Sequence, residues 1–445
     1  MIRQYLDLPR SIHILCFGSL VNRAGTFVVI FLTLYLKTSL GLSVTFATTT
    51  MGFFGAGAIV ASLVGGQLAD QIGRRPVMLF ALLGGAVILV VFSFVTTPWL
   101  IVLMVLLFAC VAETFRPAAS AMIADLTTPE QRPHAFALMY VSINLGFAIG
   151  AFIGGIIASY NFHWLFWGDA LTSAIFALII FAALRETLPA RVTAAAAAGA
   201  RILSRTELTR DSTDKREKHR DVEPTDTAEN TEATHNTEPP SLSVESVPIL
   251  AAARHIVTDT PFVVFCLATF LIALVFMQSL STLPLYIEQR GFQPHDYGKI
   301  IALNGLLIVL LQLPLTAFLA RFRRGNVMVV GALLNAVGFG LTALAVNLSH
   351  FALTIVIWTL GEIMAAPYSH AIVSDLAPAR LRARYMGVFT MSFSSAVMFA
   401  APIGGAILAS EDLGGRYLWS GAGVVAMISA ALFFSVRRHV TQKRD

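Results

Sequence analysis

The chain has 445 residues, 56% of them apolar and 13% charged, with a mean hydropathy of +0.73. Soluble globular domains carry roughly 45–50% apolar and about 25% charged residues, so a water-soluble fold is excluded. The net charge of +5, from 31 basic and 26 acidic residues, bears on how loops sort across a bilayer and gives no argument for nucleic acid.

A membrane-crossing helix uses about 20 apolar residues. Apolar runs of that length occur at 12–36, 44–69, 77–95, 99–122, 135–158 and 164–184. The first lacks the short apolar core and small-residue cleavage site of a signal peptide, so it is expected to be a span. A second six follow at 261–287, 296–320, 327–346, 351–374, 385–409 and 416–436. Between the sets, residues 191–254 hold 9 basic and 11 acidic residues. That composition cannot bury a core and predicts a disordered linker, with a short amphipathic start around Arg201 to Arg220. The predicted fold is an all-α membrane protein: 12 transmembrane helices in two pseudo-symmetric six-helix bundles, residues 1–190 and 255–445, joined by the linker 191–254. Cys16, Cys110 and Cys266 all fall in apolar runs and read as reduced packing residues, and no metal or cofactor is expected.

An even number of spans puts both termini and the linker on one side. At least fifteen Lys and Arg outside the linker fall there, Arg74, Arg75, Arg132, Arg321 and Arg323 among them, against Lys37, Arg290, Lys299 and Arg416 opposite. Basic loops stay cytoplasmic, so termini and linker are expected in the cytoplasm. The halves also repeat at an offset near 250 residues. AETFRPAASAMIADL, ending at Leu126, parallels GEIMAAPYSHAIVSDL, ending at Leu376, and Gly41 falls on Gly291. Duplicated six-helix halves suit a machine that rocks about a central site.

The loop after the second span reads GGQLADQIGRRPVM, Gly65 to Met78, with Asp70, a turn glycine at Gly73, and Arg74 and Arg75. This resembles the loop signature of the major facilitator superfamily, with Gln71 where a basic residue is usual; the second half keeps a degraded copy, ARFRRGNVM. The resemblance implies alternating access, with helices one, four, seven and ten lining a cavity. It also implies a conformational latch in which Arg74 reaches Asp70 and Asp125 and closes the inner face of the outward-open state. The bland alternative is that Arg74 and Arg75 only anchor the loop.

Ionisable groups inside spans are costly, roughly 2.5–3.5 kcal/mol each at a helix centre, and commonly face a cavity. Arg23, Glu113, Arg116 and Glu362 qualify. Glu113 and Arg116, three apart, share a helix face and pair. Glu362 has no basic residue on its own helix until Arg380, which makes it the better proton-exchange candidate of the two acids. Asn22, Arg23 and Arg116, with Gln278, Thr282 and Tyr286 from the seventh helix, are the candidate substrate-cavity residues. Structural roles for both acids, as a static pair and a neutral core group, remain open here.

The fifth helix carries NLGFAIGAFIGG, with glycines at 146, 150 and 154. It resembles the glycine motif of drug:proton antiporters, although Ala151 replaces a proline, and it reads equally as a packing seam. NRAGTFVVIFLTLYL in the first helix is similar to proton-coupled oligopeptide transporters, without their acidic residues. The function expected is proton-coupled efflux of amphipathic or drug-like small molecules by a monomeric, non-enzymatic secondary transporter of the bacterial inner membrane. Its partners are then substrate, protons and lipid. A proton symporter importing peptides or another polar nutrient is the alternative, and a non-transporting receptor or scaffold is the alternative of another class.

Overall fold

The computed structural model of the chain describes residues 5–128, 130–187, 249–378, 381–410 and 414–439. The amphipathic segment expected at 201–220 lies outside the described residues, while residues 249–254 at the end of the predicted linker are helical, within Ile249–Thr258.

Twelve helices among the described residues are long and apolar enough to cross a bilayer. In the first half they are α1 (Arg10–Ser39), α2 (Val44–Ile72), α3 (Arg74–Phe92), α4 (Pro98–Leu126), α5 (Arg132–Tyr160) and α6 (His163–Ala183). The second half has α7 (Thr260–Ser281), α8 (Pro294–Leu319), α9 (Arg324–Leu344), α10 (Leu348–Leu376), α11 (Arg384–Leu408) and α12 (Gly414–Val436). Local chemistry sets the helix ends. Ser43, Asp259 and Asn347 accept from the backbone N–H groups of Phe46, Phe262 and His350, satisfying donors a helix start leaves free. The repeat shows in the backbone: Gly41 and Gly291, 250 positions apart, both take a positive φ, 66° and 84°, at the turns after α1 and α7. Arg74 and Arg75, expected in a loop, form the first turn of α3.

Three spans are broken midway. α1 divides at Gly25 and Thr26 into Arg10–Ala24 and Phe27–Leu34, ending in a π-helical turn, Tyr35–Ser39. α4 divides at Glu113 and Thr114, where Pro117 has no N–H to give the Glu113 carbonyl, and that carbonyl accepts from Arg116 N at 3.3 Å instead. α7 breaks at Met277 and again at Thr282, continuing as Leu283–Gln289.

The halves meet along two seams built on glycine, which lets backbones approach closely. Where α5 crosses α8, a Cβ on Gly155 would lie 3.0 Å from the Cα of Gly298, and one on Gly305 would lie 2.7 Å from the Asn144 carbonyl oxygen. Where α2 crosses α11, Gly55 abuts the Met398 backbone and Gly405 abuts the Thr48 side chain.

The apolar core is continuous on one side of the bilayer and split on the other. Toward the Gly41 and Gly291 turns a single cluster joins both halves, packing Phe31, Tyr35 and Phe166 with Tyr297, Trp358 and Trp419; Phe31 meets Tyr297 edge-to-face at 5.6 Å. Toward the face that carries the chain ends, here the terminal face, two separate clusters remain. One belongs to the first half, around Ile12, Met122 and Phe176, and the other to the second, around Phe265, Tyr385 and Phe433. In the same region Gly66 on α2 and Gly387 on α11 have no neighbour against them, and Leu63, Met391 and Leu310 are exposed. The structure is therefore closed at the opposite face and parted at the terminal face.

Candidate functional site

The predicted site residues cluster at the helix breaks, because a break leaves backbone groups and polar side chains that must find partners inside the bilayer. At the α1 break, Thr26 hydroxyl donates to the Asn22 carbonyl at 3.1 Å, and Asn22 Nδ2 donates to Ser173 Oγ of α6 at 2.9 Å. Arg23 stands between α5 and α6 and interacts electrostatically with Glu113, Arg116 and Asp169. The α5 glycines serve this break. Gly146 admits Leu20 and Arg23, Gly150 the carbonyls of Arg23 and Ala24, and Gly154 the rings of Phe27 and Phe31. The stripe is a packing seam for α1, and no physical account beyond close approach is needed for its spacing.

At the α4 break, Arg116 Nε lies 2.7 Å from Glu113 Oε2; the arginine side chain is 64% exposed and the glutamate 16%, so the pair leaves its cationic end exposed. Glu362 on α10 is bound differently. Asn304 Nδ2 donates to Glu362 Oε2 at 2.9 Å and to Thr359 Oγ1 at 3.1 Å, and no ion pair of Glu362 exists among the described residues. Tyr140 of α5, in the other half, is close enough to feel its charge. Asn304 immediately precedes Gly305, which abuts Asn144 and Ala148 of α5, so this carboxyl is tied to the residue beside the α5–α8 seam.

The α7 residues expected in the cavity lie elsewhere. Gln278 is buried and donates to the Ala400 carbonyl of α11 at 2.7 Å, and Thr282 donates to Gln278 Oε1 at 2.8 Å, tying the broken helix to its neighbour. Tyr286 is buried toward the opposite face between Phe351 and Trp419, and its hydroxyl accepts from Arg290 at 2.6 Å. Here α7 is sealed away from the parted side, so residues expected to line a cavity bond to its walls instead.

At the terminal face Arg74 lies 3.1 Å from both Asp70 and Asp125 and donates to the Ala69 carbonyl at 2.9 Å. Gly73 takes φ 108°, and a side chain there would strike Glu186, whose carboxylate accepts from Arg74 N and Arg75 N at 3.0 Å each. A carboxylate on two N–H groups at a helix start is favourable. All these groups belong to the first half, and they are joined while the terminal face is parted. In the second half Arg324 pairs with Asp375 at 2.6 Å, each 250 positions after Arg74 and Asp125. At the opposite face Lys37 of α1 pairs with Glu288 in the last stretch of the broken α7, and Ser159 meets His295 at 3.2 Å, both across the halves.

Sequence reasoning missed Glu186, the pairing of Lys37 with Glu288, and Asp169 within α6. Asp169 was visible in HWLFWGDALTSA as a lone acid inside a span; its partner, a backbone N–H across the bundle, was not.

Two like-built six-helix halves, parted on one face and sealed on the other around buried charges, define a multi-pass secondary transporter. The sequence model of the Major Facilitator Superfamily matches residues 15–298 and 265–445, and the chain belongs to that family. It is 24% identical over 369 residues to a "Na(+), Li(+), K(+)/H(+) antiporter" of Planococcus maritimus, covering 77% of each chain. It is 22% identical over 380 residues to "Multidrug resistance protein MdtH" of Edwardsiella ictaluri (strain 93-146), covering 84% of this chain and 80% of that one. Among solved structures, a POT family transporter in complex with 5-aminolevulinic acid superposes with a TM-score of 0.71 at 18% identity, covering 98% and 97%; this likeness shows the fold alone.

Proposed function

We propose that the chain exports amphipathic, drug-like small molecules from the cytoplasm of a bacterium across its inner membrane, exchanging each for protons at Glu362. The observation that carries this reading is the contrast between the two acids. Glu113 is held by Arg116, whereas among the described residues Glu362 has the neutral Asn304 as its one side-chain donor. A carboxyl that no cation neutralises can gain or lose a proton without first breaking an ion pair. Its position beside Gly305 lets that change act on the α5–α8 seam, since losing or keeping the Asn304 bond, about 1.5–3 kcal/mol for a bond to a charged group, moves the residue next to the crossing. The excess of basic residues outside the linker supports a cytoplasmic terminal face, and on that reading the structure is the inward-open state.

The names of the antiporter and multidrug relatives support proton exchange and export. A second reading, import of a zwitterion such as a peptide, is favoured by Arg116 presented from one half and Glu362 held in the other. The latch assigned to Asp70, Gly73, Arg74 and Asp125 is better read as a brace that keeps the first half rigid while it rocks, because its contacts stay within that half.

The test uses proteoliposomes with a proton gradient and ethidium as probe. Glu362→Gln, which keeps an acceptor for Asn304 and cannot ionise, is expected to abolish gradient-driven ethidium movement while leaving exchange down an ethidium gradient measurable. Gradient-driven movement at the wild-type rate would refute proton coupling at this residue, and accumulation of a dipeptide instead of ethidium would favour the second reading.

A further inference from the structure

Asp169 has no part in the mechanism above, yet it is 3% exposed in the middle of α6 and forms no ion pair among the described residues. Its Oδ2 accepts from Val28 N at 3.3 Å, an N–H freed by the α1 break. Around it α6 is fitted to that break: Thr172 lies against Gly25, Ser173 accepts from Asn22, and Phe176 lies against Gly18. On the far side, the α5 glycines 146 and 150 press on Arg23 and Ala24. Arg23 is thus held at a fixed backbone position beside the break, where it forms no ion pair among the described residues and feels the charges of Asp169, Glu113 and Arg116 at longer range. The other helices beside α6 add no charge, since α3 from Pro76 to Phe92 and α5 from Ala135 to Tyr160 contain no Asp, Glu, Lys, Arg or His.

We propose that Asp169 is the positioning residue of Arg23: its negative charge draws the guanidinium back toward α6 and so keeps Glu113 for Arg116 at the edge of the parted space. A single backbone N–H uses about one of a carboxylate's four acceptor sites, and an asparagine would cap Val28 as well as an aspartate does. What asparagine cannot supply is charge. Two acids and two guanidiniums make the cluster neutral; without Asp169, Arg23 and Arg116 compete for Glu113 alone. Cargo and direction of transport play no part in this, so the proposal stands apart from the export reading.

The experiment is a double-mutant cycle in the full-length protein. Melting temperatures in detergent are compared for Asp169→Asn, Arg23→Gln and the double variant, with Asp169→Glu as the conservative replacement. Each single variant is expected to melt below wild type and the double variant above either, because it removes the unbalanced charge. In proteoliposomes, Asp169→Asn should slow ethidium movement about tenfold or more and change its pH profile, with Asp169→Glu recovering about half. A double variant whose loss is the sum of the single losses overturns the proposal and leaves Asp169 a backbone cap. So does an Asp169→Asn protein that moves ethidium at the wild-type rate with the same pH profile. Should Asp169→Asn fail to fold, a folded double variant supports the charge coupling and an unfolded one overturns it. Should wild type not move ethidium at all, the export reading fails, and the melting cycle decides this proposal by itself.

Discussion

Lys37 and Glu288 join the two halves at the opposite face, and their pairing exists only while that face is closed. Their side chains are 25% and 29% exposed, so neither is free of water and neither is fully stripped of it. Exposed pairs contribute 0.2 to about 1 kcal/mol, and the upper end suits this partly buried pair. At 1.4 kcal/mol per decade, losing about 1 kcal/mol raises the opposite-face-open population about fivefold. Glu288→Lys replaces attraction with repulsion of similar size, a swing of about 2 kcal/mol, or roughly thirtyfold. Thr48 reports the opening, because it is fully buried in the α2–α11 seam against Gly405. With Cys16, Cys110 and Cys266 replaced, Thr48→Cys should react with a membrane-impermeant maleimide in proportion to that population. Lys37→Ala is expected to speed labelling about fivefold and Glu288→Lys roughly thirtyfold, with the exchanged pair Lys37→Glu/Glu288→Lys returning to within about twofold of the parent. An exchanged pair that labels as fast as the single reversal, or a Lys37→Ala protein that labels at the parent rate, refutes a gate built on this contact.

Arg74→Ala leaves Asp125 without its cation, with only the Thr187 hydroxyl as donor among the described residues, and frees the Ala69 carbonyl; it should cost about 2 kcal/mol, read as a lower melting temperature, while Thr48→Cys labelling stays unchanged because the brace lies within one half. Gly150→Leu drives a side chain into the Arg23 and Ala24 carbonyls and should cost well over about 2 kcal/mol, seen as loss of monodisperse protein on size exclusion. Asn304→Leu removes the one side-chain donor to Glu362 among the described residues and should lower gradient-driven ethidium movement while reducing stability by about 1–3 kcal/mol.

The twelve spans were legible because a bilayer imposes one length and one composition on every crossing segment, and the observed helices fall within a few residues of the apolar runs. The duplication was legible for a different reason: a turn that needs a positive φ keeps its glycine, and Gly41 and Gly291 mark the same turn twice. The breaks in α1, α4 and α7 were not legible. Hydropathy averages over a window longer than a break, and Gly25 or Pro117 alone also fits an unbroken transmembrane helix, where neighbours can satisfy the freed backbone groups.

The site divides along the same line. Glu113 and Arg116 are neighbours on one helix face, so local spacing was enough to pair them. Arg74 with Asp125 needed the family resemblance, since 51 residues separate the two, and the structure adds Glu186 from a third element to the same cluster. Gln278, Thr282 and Tyr286 show why helix number alone does not place a side chain. The seventh helix borders the space between the halves, but in a state closed at the opposite face its broken middle turns to α11 and its end to Phe351 and Trp419. Rocking the halves to open that face must part α1 from α7 at Lys37 and Glu288, while the bonds of Gln278 to Ala400 and of Arg74 to Asp125 stay inside their own halves. Any rocking of the halves must change the contacts that cross between them, whereas the contacts that stay inside one half, around the half-buried Glu362 and the buried Asp169, need not change.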